Sequence, residues 1–341
     1  MENKKENPVA TTTGFDNQVL PNHFNSDNTT ENAEIQANFI KIYDLDEFMH
    51  LGTPKSQIIL NPILKSGNLA MVYAKRGIGK SFFAISLAYA VATGRKFLRW
   101  ESENPAKVMY IDGEMPANIL QERFARIAKG FNDDCDEYTK NIVIISADLQ
   151  ETPSIDITNE DFQNFVERNL SDVKLIILDN LSTLTCVDEL DNKAWVNIQD
   201  WLLKLRKKGV AVIIIHHAGK NGEQRGISRR EDILDCVMKI SALNKKPTNK
   251  EDKEDDDVDY EKITSGTKCS LNFEKQRNLD LQATPNIRII LQDTSNNGIC
   301  WLDVDEKIAE LRKEGYSYRD IEKMAGFSKS TIGNILKSSK S

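Results

Sequence analysis

The stretch Ala74-Lys75-Arg76-Gly77-Ile78-Gly79-Lys80-Ser81 constrains the fold more than any other part of the chain. It stands between an apolar run at 69–73 and an alanine-rich segment that ends near Gly94. Glycines let the backbone turn at positive φ and leave its N–H groups uncovered, so such a loop between a strand and a helix cradles phosphate oxygens. The spacing matches the phosphate-loop pattern, with Ala74 in place of the usual first glycine. The expected nucleotide-binding set runs from Ala74 through Phe82. Within it, Lys80 is expected on the β- and γ-phosphates and Ser81 on Mg²⁺ through its hydroxyl.

The surrounding sequence supplies a matching scaffold. Apolar runs at 69–73, 108–112, 142–146, 175–178 and 210–215 alternate with amphipathic stretches, the pattern of parallel strands covered on both faces by helices. This predicts a three-layer α/β core. A helix over 193–208 carries the apolar stripe Trp195, Ile198, Trp201, Leu202 and Leu205 and stops at Gly209. Apolar segments at 270–274 and 287–292 resume as β structure and extend the same sheet. Cys236 and Cys300 also lie in strand-like stretches.

A length of 341 residues accommodates one large domain with small ends. Residues 1–36 are rich in Asn, Thr, Glu and Asp and lack a secretory signal, so they read as a disordered tail. The core is expected over 37–302, with a charged mobile loop at 244–262 and a helical module at 303–341. No apolar run approaches the roughly 18 residues of a membrane span, so a cytoplasmic protein without membrane contact is expected. The five cysteines form no CxxC pair and read as thiols in a reducing compartment. A net charge of −7 argues against coating nucleic acid by bulk electrostatics, while leaving room for a local basic channel.

Further chemistry gathers at the ends of the apolar runs. Leu175-Ile176-Ile177-Leu178-Asp179 is a strand ending in an acid, which makes Asp179 the metal-side carboxylate. Tyr110-Ile111-Asp112-Gly113-Glu114 ends another strand with two acids, and His216-His217 end the strand at 210–215 with two of the four histidines. No clustered cysteine or third ligand joins the histidines, which disfavours zinc.

Taken together, five segments resemble the RepA-type hexameric helicases of plasmids and phages, a RecA-like branch of the P-loop ATPases. They are DLDEFMHLGTP, AKRGIGKSFFAISLAYAVATG, YIDGEMP, LIILDNLSTL and IIIHHAGKNGEQRGISRREDILDCV, and the resemblance spans about Asp44 to Trp301. It implies a RecA-like core, ATP with Mg²⁺, and a homo-hexamer or other ring with a nucleotide between subunits. Glu114 is then the base that deprotonates the attacking water, with Asp112 as rival, and His217 the phosphate sensor, with His216 as runner-up. Lys275 and Arg277 match the position of a Lys-x-Arg finger offered to a neighbouring subunit's nucleotide. Arg225, Arg229 and Arg230 fall where RecA-like proteins present a loop, either to single-stranded DNA in the pore or to the adjacent subunit.

The last segment reads as helices at 306–313, 318–325 and 328–337, with Gly315 and Gly326 at the turns and Ser317 and Ser328 as N-caps. It resembles the helix-turn-helix of resolvases. Lys329, Ser330, Thr331 and Asn334 would then meet duplex DNA, the alternative being a packing element without DNA contact. Three functions stay open on these residues: a DNA-translocating helicase in replication of a plasmid, phage or mobile element, a DNA-bound ATPase acting as regulator or loader, and a small-molecule kinase. The kinase is disfavoured because no arginine-bearing lid stands out.

Overall fold

In the six-residue strand that precedes the phosphate loop every side chain is buried, which is possible only if both faces of the sheet are covered. A computed structural model describes residues 41–133, 138–152, 154–186, 192–219, 231–243, 266–277 and 284–338. The expected tail at 1–36 and the charged loop at 244–262 lie outside the described residues. Residues up to Pro54 form a unit of their own. Its helix α1 (Leu45–His50) begins at a capping box in which Asp44 accepts from Glu47 N and Glu47 accepts from Asp44 N. None of its residues is buried.

The second unit begins at Lys55. In chain order it contains β1 (Ile58–Leu60), β2 (Leu64–Lys65), β3 (Leu69–Ala74), α2 (Lys80–Thr93), β4 (Lys96–Phe97), β5 (Trp100–Glu101) and β6 (Lys107–Asp112). There follow α3 (Ala117–Gly130), β7 (Ile142–Ser146), α4 (Glu160–Arg168), β8 (Val173–Asp179), α5 (Asn192–Lys207), β9 (Ala211–His217) and β10 (Cys236–Ala242). The chain closes with β11 (Gly266–Gln276), β12 (Ile287–Asp293), β13 (Ile299–Asp303), α6 (Val304–Lys313), α7 (Tyr318–Ala325) and α8 (Lys329–Ser338).

Nine strands form one sheet in the order β13-β12-β11-β10-β3-β9-β8-β6-β7. From β10 to β7 the neighbours are parallel, and β11 to β13 add an antiparallel wing. Alternation sorts β3 onto two faces: Ala70, Val72 and Ala74 join the core beneath α2 and α3, while Leu69, Met71 and Tyr73 join the core covered by α4 and α5. The five expected strands and the later β structure are all present, and the stripe on α5 is buried as its spacing requires. This is an α/β RecA-like P-loop core.

Helix α2 has no polar face: all its residues except Ser81 and Phe82 are buried. Phe83 shows why, meeting Phe97, Trp100 and Trp301 edge-on with centroids 5.0, 6.3 and 5.9 Å away. The helix ends where Gly94 takes φ +68 and returns its N–H to Ala90 O. The last three helices enclose a small core of their own with Ile308, Leu311, Ile321, Ile332 and Ile335, joined by Ile290 from β12. Asp303 caps α6 while receiving Arg99 bidentately at 2.6 and 2.9 Å, so the wing and these helices share one anchor.

Candidate active site

The end of the parallel sheet where β3, β9, β8 and β6 terminate brings the expected chemistry together, because strand register puts Ala74 beside His217 and Asp112 beside Asp179. Gly77 and Gly79 take φ of +81 and +98, values that carry the chain from β3 into α2 and that a Cβ would oppose. A Cβ on Gly79 would also stand 2.9 Å from Leu291 Cδ2 and 3.2 Å from Trp301 Cζ2. The antiparallel wing is therefore the floor of the loop. The α2 N-terminus leaves its first backbone N–H groups directed outward, the arrangement that holds phosphate.

Lys80 opens α2, is 7% exposed, and donates to Lys75 O at 3.1 Å. Burial pulls its ammonium below the ordinary lysine range, opposed by the carboxylates of Asp179 and Glu114. A desolvated cation facing two acids gains from an anionic ligand, which supplies charge the apolar surroundings withhold. Phe82, the last residue of the expected set, is half-buried with the Arg123 guanidinium 4.8 Å above its ring.

Asp179 is 3% exposed. Burial raises its pKa, and hydrogen bonds from Tyr110 and Ser81 pull the other way. Tyr110 Oη donates at 2.6 Å. Alternation along β6, β8 and β9 puts Tyr110, Asp112, Asp179 and His217 on the α2 face of the sheet and His216 on the opposite face. Of the two histidines, His217 faces the loop, with Nε2 3.7 Å from Glu114 Oε2. The acids at 112 and 114 differ as sharply. Asp112 is fully buried, and its Oδ1 accepts from Met115 N at 2.8 Å and Glu114 N at 3.2 Å. Glu114 keeps 54% of its side chain exposed and accepts a hydrogen bond from Asn180 Nδ2. A base for bulk-derived water needs access, and of the two acids Glu114 has it.

Tyr110 and Asn180 belong to this cluster and were not singled out by sequence. Tyr110 read as strand core, and its hydroxyl destination depends on β6 lying beside β8. Asn180 follows the strand acid directly, and that adjacency was the available signal. The residues suit a magnesium-bound nucleotide: Ser81 and Asp179 offer hard oxygens, and Asp112 Oδ2 and Asn180 Oδ1 are buried without a hydrogen-bond partner among the described residues, as fits oxygens near a hydrated cation. No group of three or more His, Cys, Asp or Glu side chains placed to hold a metal ion occurs among the described residues.

Lys275 and Arg277 are not at this end of the sheet. Arg277 N donates to Asp235 O at 2.6 Å and Asp235 N to Leu69 O at 2.7 Å, so Arg277 lies level with the start of β3. The loop leaves the far end, roughly 17 Å away over five residues of strand. Lys275 donates to Glu231 O, and its pKa is lowered by burial and by Arg277. Arg225, Arg229 and Arg230 lie outside the described residues. On α8, Lys329, Ser330 and Asn334 are exposed and Thr331 is half-buried, opposite the inward Ile332 and Ile335. Ser328 accepts from Thr331 N at 3.3 Å, the expected N-cap. No helix among the described residues is long and apolar enough to cross a membrane.

No curated protein matches the chain in sequence. Among solved structures, it is similar to a KaiC-like protein of the hyperthermophilic archaeon Pyrococcus horikoshii, with TM-score 0.48 and 17% identity over 71% of this chain and 93% of the other. It is also similar to the RadB recombinase, with TM-score 0.46 and 14% identity over 70% and 91%. The model of the AAA domain matches residues 37–223, more than half of the chain, including the phosphate loop and strands β3, β6, β8 and β9. With its phosphate loop, buried strand acid and RecA-like sheet, the chain belongs to the AAA domain family of P-loop ATPases.

Proposed function

We propose that the protein hydrolyses ATP at sites shared between copies arranged as a homo-hexamer or other ring, and couples turnover to movement along, or unwinding of, single-stranded DNA in replication of a plasmid, phage or mobile element. One observation carries the shared site. Arg277 and Lys275 lie at the opposite end of the sheet from the phosphate loop of their own chain, so a cation from them reaches a nucleotide only on a neighbour.

Each residue then has a defined task. Lys80 binds the β- and γ-phosphate oxygens, and the N–H groups at the α2 N-terminus hold the phosphates in the loop. Ser81 and Asp179 hold Mg²⁺ or its water shell, with Tyr110 fixing the carboxylate. Bound magnesium ATP supplies the phosphoryl group to be transferred and the charge that draws electrons from it. Glu114 takes the proton of the attacking water, and the Asn180 amide on its Oε2 orients it. His217, beside that carboxylate, reports the γ-phosphate to β9. Arg277 of the adjacent copy meets the negative charge spreading over the transferred group, an effect worth on the order of 10³–10⁵ in rate for arginine fingers.

The C-terminal helices favour a second reading, in which Lys329, Ser330, Thr331 and Asn334 engage duplex DNA and the protein is a DNA-bound ATPase acting as regulator or loader. Its support is the exposed polar start of α8 on helices joined to the wing through Arg99 and Asp303. ATP turnover with and without single-stranded DNA, beside unwinding of a forked duplex, separates the two. DNA-stimulated turnover with unwinding supports the motor, turnover without unwinding supports the regulator, and no turnover under any condition removes both.

A further inference from the structure

The two cations at the end of β11 are held by the same short stretch of chain. Lys275 donates to Glu231 O, and Arg277 N donates to Asp235 O at 2.6 Å. β11 ends at Gln276, opposite Cys236 at the start of β10, so the bond to Asp235 fixes Arg277 just past the ladder. The Arg277 side chain is exposed and forms no ion pair among the described residues. Asp235 is itself clamped. Its Oδ2 accepts from Leu69 N at 2.9 Å and from Arg206 Nη2 at 2.6 Å, and its N–H donates to Leu69 O at 2.7 Å. Arg206, near the end of α5, also reaches Ile233 O at 2.8 Å through Nη2 and Gly67 O at 3.2 Å through Nε. Its neighbours Lys204, Lys207 and Lys208 are exposed, whereas Arg206 turns in against the start of β3.

We propose that Asp235, locked by Arg206, is a positioning residue for hydrolysis, setting where Arg277 stands and so how it meets the nucleotide of the neighbouring copy. This rests on the reading of Arg277 as a finger. A partly buried ion pair adds little stability that apolar packing would not, because desolvation offsets the attraction. What it supplies here is one geometry. The carboxylate oxygen is shared by two donors and the guanidinium by three acceptors, so Asp235 moves only if several bonds break together. A finger acts on charge that develops in the transition state, where a displacement of about 1 Å costs up to about a hundredfold in rate. The same carboxylate also holds the first residue of β3, the strand that leads to the phosphate loop of its own chain. That gives a rival route, from Asp235 to its own loop, with a different signature in mixed rings.

The test measures ATP turnover of the full chain in such mixtures. Each shared site takes its phosphate loop and Glu114 from one copy and Arg277 from the next. Asp235→Ala should bind a fluorescent nucleotide normally and lose about tenfold to a hundredfold in turnover. In the Arg277→Ala background it should add no further loss. Mixed with Glu114→Gln copies it should regain activity, because an intact finger then meets an intact loop; mixed with Arg277→Ala copies it should regain none. Rescue by Arg277→Ala and not by Glu114→Gln would assign Asp235 to its own loop and overturn the proposal. Rescue by neither, unchanged turnover, or further loss in the Arg277→Ala background overturns it as well. Arg206→Met keeps the aliphatic stem and removes the three donated bonds; it should show the same pattern, and it decides the matter by the same outcomes if Asp235→Ala does not fold. Arg277→Ala with normal turnover, or without recovery alongside Glu114→Gln, removes the shared site and this role together. Arg277→Ala behaving as a finger variant while Asp235→Ala and Arg206→Met depart from the pattern removes this role only.

Discussion

Asp112 has no exposure to solvent and sits beside Asp179 in the strand register, with Oδ2 lacking a hydrogen-bond partner among the described residues. Burial raises its pKa from 3.8 to about 6, against the two backbone donors that favour the anion. The folded state therefore binds the proton more tightly than the unfolded chain. The ionised carboxylate costs stability at neutral pH, and the cost fades as pH falls through 6 and is gone below 3.8. A shift of that size corresponds to about 3 kcal/mol at pH 7, of which about half remains at pH 5.

Asp112→Asn removes the titration and adds a buried amide N–H whose own cost does not vary with pH. Urea unfolding of both proteins at pH 7 and pH 5, with chelator and without nucleotide, isolates the difference. The stability of Asp112→Asn relative to wild type should drop by about 1–2 kcal/mol on going from pH 7 to pH 5. A difference that stays constant with pH, or that moves toward Asp112→Asn on acidification, would refute the reasoning. The variant also bears on the choice of base, because hydrolysis that survives it leaves the proton transfer to Glu114.

Three further outcomes follow from the same site. Lys80→Ala should lower ATP turnover by about a hundredfold or more, as loss of an electrostatic stabiliser does, with near-normal unfolding by urea; normal turnover would remove Lys80 from the chemistry. Arg277→Ala should bind a fluorescent nucleotide normally and lose about 10³ in turnover, and mixing it with Glu114→Gln subunits should restore part of the activity, whereas no recovery at any ratio would count against a shared site. Gly79→Ala should cost about 1–3 kcal/mol through its φ of +98, before the contact with Leu291 is relieved, and should weaken nucleotide binding; equilibrium unfolding and nucleotide titration check both.

Much of this arrangement was legible in the sequence because it depends on local rules. The parallel strands announced themselves as continuous apolar runs, the loop by its glycines and lysine, and the α7 start by Ser317, whose hydroxyl accepts from Asp320 N at 3.2 Å. What stayed hidden depends on which strand lies beside which. β10 appeared only as a strand-like stretch around Cys236, because Lys239 interrupts its apolar run. In the fold that lysine reaches Glu274 on β11 at 3.2 Å and lies over the Tyr73 ring of β3, so it is paired within the sheet instead of breaking it.

The same dependence on pairing explains why the floor of the phosphate loop was illegible. Trp301 sits in a five-residue strand at the edge of the sheet, and sequence alone gives no reason to connect it with a glycine more than two hundred residues earlier. Once β13 is laid along β12, Trp301 and Leu291 leave Gly79 room for a hydrogen and little more. Two residues further on, Asp303 caps α6 and holds Arg99. One short strand thus connects the loop's support to the start of the C-terminal helices. A side chain that fills the space under Gly79 differently should be felt at both ends of β13, whereas a substitution on the solvent face of α8 should be felt at neither.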